Sequence, residues 1–232
     1  MTMKTLYHGS PLIIEKPKYG KGNPRNDYGL GFYCTEDMEL AKEWACLTKN
    51  GGFVNIYMIN TEALNILNLS ESGFTILHWL SLLVNNRTFR IQNQVAAQAK
   101  EYLLANFLPD VSLFDAIIGY RADDSYFAFA MDFLNNAISL RQLERAMYLG
   151  KFGEQFMVKS EKAFGLIQFT ESAPVDGEVY YTKRVTRDNE AREQYLHGER
   201  TAMSVVNDLF MIDVLRGEMK QDDTRLQRKI SE

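Results

Sequence analysis

Apolar positions recur in short blocks whose spacing switches between two residues and about three and a half, so the pattern predicts strands scattered irregularly among helices. Lys4 to His8 predicts a first strand that ends on His8-Gly9. Between Tyr28 and Ala45, Gly29 and Gly31 precede a short buried strand at Phe32-Tyr33, and Thr35 stands where a helix cap is expected. Glu36 and Asp37 then fall in the first turn, where carboxylates suit the helix dipole. Leu40, Ala41, Trp44 and Ala45 give that helix an apolar face. Strands are expected at Phe53 to Ile59 and Leu64 to Leu69, and helices at Phe74 to Val84 and Gln92 to Phe107.

Leu113 to Ile118 reads as a buried strand bounded by Gly119, followed by an aromatic helix from Tyr126 to Leu134. Ser139 with Gln142 three residues on is a capping box opening a helix to about Leu149. Further strands are expected at Glu154 to Lys159, Ala163 to Phe169 and Glu178 to Lys183, then helices at Asp188 to Leu196 and Ala202 to Met219. Without regular βα alternation, the fold class is α+β. The chain reads as one domain with a helical insertion at about 70–110 and C-terminal helices at about 187–219.

The 232 residues, 46% of them hydrophobic, are enough to bury a proper core. A net charge of -4 offers no bulk attraction to nucleic acid or an anionic membrane. Met1 to Ser10 lacks the apolar core of a signal peptide, and no apolar run reaches membrane-spanning length. Two cysteines make neither a disulfide framework nor a zinc pattern, and the expected setting is the cytoplasm.

Candidate chemistry narrows quickly. Three histidines and no paired cysteines leave no metal-ligand spacing. Gly29-Leu30-Gly31 lacks the third glycine of a dinucleotide fingerprint, and no Walker-type lysine follows any glycine loop. His78, inside an apolar segment, reads as a satisfied core histidine. Cys34 with His8 is a candidate thiol hydrolase, because a thiolate is favoured just before a helix N-terminus; the alternative is a small buried filler. The loop from Glu15 to Asp27 carries Lys16, Lys18, Lys21 and Arg25, and it reads either as a cover for a ligand, as loops of this kind often are, or as a solvated connection.

Three segments remain: Tyr7-His8-Gly9-Ser10, Gly29-Leu30-Gly31-Phe32-Tyr33-Cys34-Thr35 and Glu154-Gln155-Phe156-Met157-Val158. In that order they resemble the strand motifs of the ADP-ribosyltransferase superfamily, in its His-Tyr-Glu branch. The chain is also similar, over residues 4 to about 217, to a bacterial family of unknown function assigned to that clan. That likeness rests on Ile118-Gly119-Tyr120-Arg121-Ala122-Asp123-Asp124, on Ser160-Glu161-Lys162-Ala163 and on Arg187-Asp188.

The resemblance implies a split antiparallel β-sandwich with helical insertions, and NAD+ as co-substrate. It implies that the Gly9 backbone, with Ser10 and Gly31 beside it, holds the nicotinamide end. His8 would bond the adenosine-side ribose and Tyr33 would stack on the nicotinamide ring. Arg25 is added from its charge and placement as a phosphate contact. Aligning Phe156 with the family's aromatic puts Gln155 at the glutamate position, with Glu154 as its neighbour on the opposite face. Asp123 and Asp124 either supply a carboxylate or cap the helix after them. The implied function is mono-ADP-ribosyl transfer to a protein or nucleic acid, as a bacterial toxin with an antitoxin partner and no membrane association. An inactive NAD-binding or protein-interaction module and an NAD+ glycohydrolase are the alternatives.

Overall fold

Strand β1 (Met3–Ser10) turns Leu6 fully inward, and the rest of the molecule's first core grows on that face. The computed structural model describes residues 2–122, 124–151, 153–203 and 207–226. In chain order the further elements are β2 (Phe32–Cys34), α1 (Met38–Ala45), β3 (Gly52–Asn60), β4 (Ile66–Asn68), α2 (Ile76–Asn86) and α3 (Gln94–Asn106). After them come β5 (Ala116–Tyr120), α4 (Asp124–Leu134), α5 (Leu140–Ala146), β6 (Glu154–Val158) and α6 (Glu161–Leu166). The last are β7 (Ile167–Val175), α7 (Gly177–Gln194) and α8 (Met211–Arg216). The chain is thus a mixed α+β protein.

It divides into two compact units. The first comprises Met1–Asn68, Val111–Arg121 and Phe152–Asn189 and contains both sheets, a three-stranded one in the order β1-β3-β7 and a four-stranded one in the order β2-β6-β5-β4. Leu6 and Ile59 from one sheet share a core with Cys34, Ala116, Phe156 and Val158 from the other. On the opposite face of β1 and β3, helix α1 packs Ala41 and Ala45 against Val54. β4 and β5 pair in parallel, which corrects the expectation of antiparallel sheets throughout. The chain between these two strands is long enough for the crossover that a parallel pair requires.

The second unit comprises Leu69–Asp110, Ala122–Lys151 and Glu190–Glu232, and it is helical. His78 is indeed a satisfied core residue here: its Nδ1 accepts from the Thr75 N–H at 3.0 Å, and its ring meets Phe74 and Phe107 edge-on. The Ser139–Gln142 capping box forms as expected.

Several expected elements are corrected. Asp37 rather than Thr35 caps α1, accepting from Glu39 N at 2.8 Å and Leu40 N at 3.2 Å. Thr35 instead pairs its backbone with Tyr7. Ala163 begins inside a helix, because Ser160 caps α6 through the Ala163 N–H, and the strand starts only at Ile167. Glu178 to Lys183 is the start of α7, where the Asp176 carboxylate accepts from Glu178 N and Val179 N. Tyr180 and Tyr181 pack from this helix onto the α1 core, so packing overrides their strand propensity. Leu113 ends a short 3₁₀ turn, and β5 runs on through Gly119 to Tyr120. Within the expected helix from Ala202 to Met219, only Met211–Arg216 is α-helical among the described residues, and 204–206 lie outside them.

Candidate functional site

β1 and β2 meet at one place. Tyr7 of β1 and Thr35, the residue just after β2, exchange both backbone hydrogen bonds, at 2.8 and 2.9 Å, and this is the sole bridge between the two segments among the described residues. In an antiparallel pair the bonding groups alternate in direction. Gly9, two residues on from Tyr7, therefore directs its N–H and C=O to the same side, at the level where β2 has parted. An adjacent donor and acceptor on one backbone edge suit a primary carboxamide.

His8 crosses that divergence. Its ring stacks on Phe32 at 4.3 Å, and Nδ1 lies 2.7 Å from the Tyr33 carbonyl oxygen. A carbonyl only accepts, so Nδ1 carries the proton and donates. Burial lowers the His8 pKa and keeps the ring neutral, which leaves Nε2 as an acceptor for a hydroxyl group.

The turn before β2 is held by a buried polar cluster. Gly29 sits at φ +84°, a backbone conformation glycine adopts without strain. The Tyr33 hydroxyl donates to Gly29 O at 2.6 Å and accepts from Tyr28 N at 3.1 Å, folding the side chain back over the turn. The Tyr28 hydroxyl donates to Tyr120 O at 2.6 Å. Burial, reinforced by the neighbouring Asp27 charge, pushes the Tyr28 phenol well above its ordinary value, so this donor keeps its proton.

Gln155 joins the same cluster. Its Nε2 donates to Asp27 Oδ2 at 2.9 Å and more weakly to Tyr120 O at 3.4 Å. Tyr33 is in register with Met157, and strand alternation puts Gln155 on that same face of the sheet. Glu154 projects from the other face and is exposed, whereas Gln155 is 3% and Asp27 5% exposed.

The remaining sequence candidates lie around this centre. Ser10 is buried, with its Oγ accepting from Leu12 N. A Cβ on Gly9 would overlap the Ala41 carbonyl oxygen and lie 2.5 Å from Ala45 N, so this glycine is what allows α1 to close on β1. A Cβ on Gly31 would meet Met157 and come within 2.7 Å of Val158 O. Arg25 is exposed in its loop, its N–H bonded to Asn23 Oδ1. Asp124 opens α4, and Asp123 lies outside the described residues. Cys34 is fully buried, and burial pushes its thiol far up, which removes the thiolate that the hydrolase reading needs.

Among the described residues no group of three His, Cys, Asp or Glu side chains is placed to hold a metal ion, and no helix is long and apolar enough to cross a membrane. A cleft of about 410 Å³ opens beside Gly31 between Tyr19, Leu30, Lys159 and Phe164, and its lining does not include His8, Tyr33 or Gln155. Sequence reasoning missed Asp27 and Tyr28. The available signal is Asn26-Asp27-Tyr28-Gly29, an acidic turn ending on glycine, which is split where Asp27 closes the polar loop and Tyr28 opens the glycine stretch.

No curated protein and no solved structure matches the chain. Residues 4–169 match the family model described as Protein of unknown function (DUF3990), and the chain accordingly belongs to that family.

Proposed function

We propose that the protein binds NAD+ at the divergence of β1 and β2 and transfers its ADP-ribose to a macromolecular acceptor, on a sandwich of the ADP-ribosyltransferase type. The observation that carries this reading is the His8 bridge to the Tyr33 carbonyl, made where β2 parts from the Gly9 edge of β1. The chemistry asks for a carboxamide partner, a hydroxyl acceptor and a polar group near the reacting ribose. Gly9, neutral His8 and Gln155 match those requirements in turn, and the Tyr33 ring is the stacking surface.

In the reaction, the bond between ribose C1′ and the nicotinamide nitrogen breaks, and its electron pair leaves with neutral nicotinamide. The acceptor's nucleophile bonds to C1′ and releases its proton to solvent. An enzyme gains rate only from contacts that strengthen as positive charge builds on the ribose. Gln155 brings an amide to that place and no charge of its own.

Nicotinamide release by purified protein, with and without cell lysate, tests the reading. The expected outcome is release that requires lysate and falls at least about 100-fold in Gln155→Ala and His8→Ala, the scale of losing an oriented transition-state contact. Loss in Glu154→Ala with Gln155→Ala unaffected would move the role to Glu154. Release without lysate would make the protein an NAD+ glycohydrolase, and NAD+ binding without release would leave a binding module. As a bacterial toxin with an antitoxin partner, the protein would arrest growth on expression, and a folded His8→Ala variant would not.

A further inference from the structure

We propose that Asp27 and Gln155 act as one unit, in which the loop carboxylate supplies the negative charge and positions the strand amide that meets the substrate. This rests on the NAD+ reading above. The two side chains come from distant parts of the chain and meet at 2.9 Å with almost no exposure.

The orientation of the amide follows from its neighbours. The Tyr120 carbonyl can only accept, so the Gln155 atom facing it must be its NH₂ group, which also donates to the Asp27 carboxyl. Oε1 is therefore the end of the amide that turns away from Asp27. It is a fixed acceptor for a ribose hydroxyl, polarised by the carboxylate behind it. Asp27 acts through Gln155 and is a positioning residue. The Tyr28 hydroxyl, which donates to Tyr120 O, also accepts a hydrogen bond from the Gln155 side chain and so adds a further partner to its NH₂ end.

The competing explanation is a staple that merely pins the 26–29 turn to β5 and β6. The two differ in what Asp27→Asn does. Asparagine keeps an acceptor for Nε2 and so keeps a staple, but it removes the charge. The experiment measures NAD+ affinity, single-turnover nicotinamide release and melting temperature for wild type, Asp27→Asn, Gln155→Glu and the double swap Asp27→Asn/Gln155→Glu.

The expected result is a loss of at least tenfold in the release rate of Asp27→Asn, with NAD+ affinity changed less than threefold. The double swap, which moves the carboxylate across the same hydrogen bond, is expected to regain most of the rate. Gln155→Glu alone places two carboxyls in contact, which share one proton. Its rate is expected to persist at acid pH and fall as that proton is lost.

A wild-type rate and pH profile in Asp27→Asn would overturn the assignment and leave the staple. A folded double swap without activity would overturn it too, and that comparison stands even where Asp27→Asn alone does not fold. Wild-type protein that neither binds NAD+ nor releases nicotinamide would overturn the functional reading itself, and this proposal with it.

Discussion

Tyr33 carries two loads at one position. Its carbonyl accepts the hydrogen bond from His8 Nδ1, and its hydroxyl closes the turn at Gly29 and Tyr28. Tyr33→Phe keeps the ring and the carbonyl and loses only the hydroxyl. It is expected to destabilise the fold by about 1–2 kcal/mol, the usual cost of a lost, partly buried hydrogen-bond pair. Urea denaturation measures this, and a midpoint equal to that of wild type would show that the turn holds without the phenol. Asn55, fully buried on β3, is comparable: it accepts from Ile14 N and donates to Leu12 O and His8 O, fixing the chain just beyond β1.

Among the elements, α1 depends most on one atom that is missing. The helix approaches β1 so closely at Gly9 that a methyl group would enter the helix backbone. Backbone cannot rotate aside as a flexible side chain can, so Gly9→Ala is expected to cost at least about 3 kcal/mol. A thermal melt would show the loss, and an unchanged melting temperature would mean that α1 can ride outward. Elements of this kind also mark how much was legible in the sequence. The Ser139–Gln142 box was readable because both partners sit three residues apart, and β1, β2 and β6 were readable from local apolar runs. The start of α7 was not: its tyrosines favour a strand, and only packing against α1 and the Asp176 cap settles the helix. For the same reason the motif residues could be named from the sequence, but the Asp27–Gln155 contact could not.

At the scale of the whole molecule, stability is set against pH by half-buried groups of opposite sense. His8, lowered from 6.5 by burial, contributes stability that is complete above pH 6.5 and is lost as pH falls through its folded value. Glu144 is pushed up by burial, partly offset by Arg141, from 4.5 to about 7. Its contribution is complete below pH 4.5 and is lost as pH rises through about 7. Glu144→Gln is therefore expected to match wild type near pH 4 but to exceed it near pH 8 by on the order of 1–3 kcal/mol. Denaturation midpoints at the two pH values check this, and equal gains at both would show that packing rather than charge is responsible.

The Asp27–Gln155 bond spans 128 residues of chain, and the pairing of β2 with β6 closes almost as long a loop. During synthesis at roughly 5–20 residues per second, the first partner waits on the order of ten seconds for the second. Until β6 and β7 leave the ribosome, β2 and β3 each stand with an unpaired edge, the kind of surface on which nascent chains stick to one another. A message cut short before codon 155 thus yields a polypeptide that has every residue of the first two motifs and no centre for them to serve.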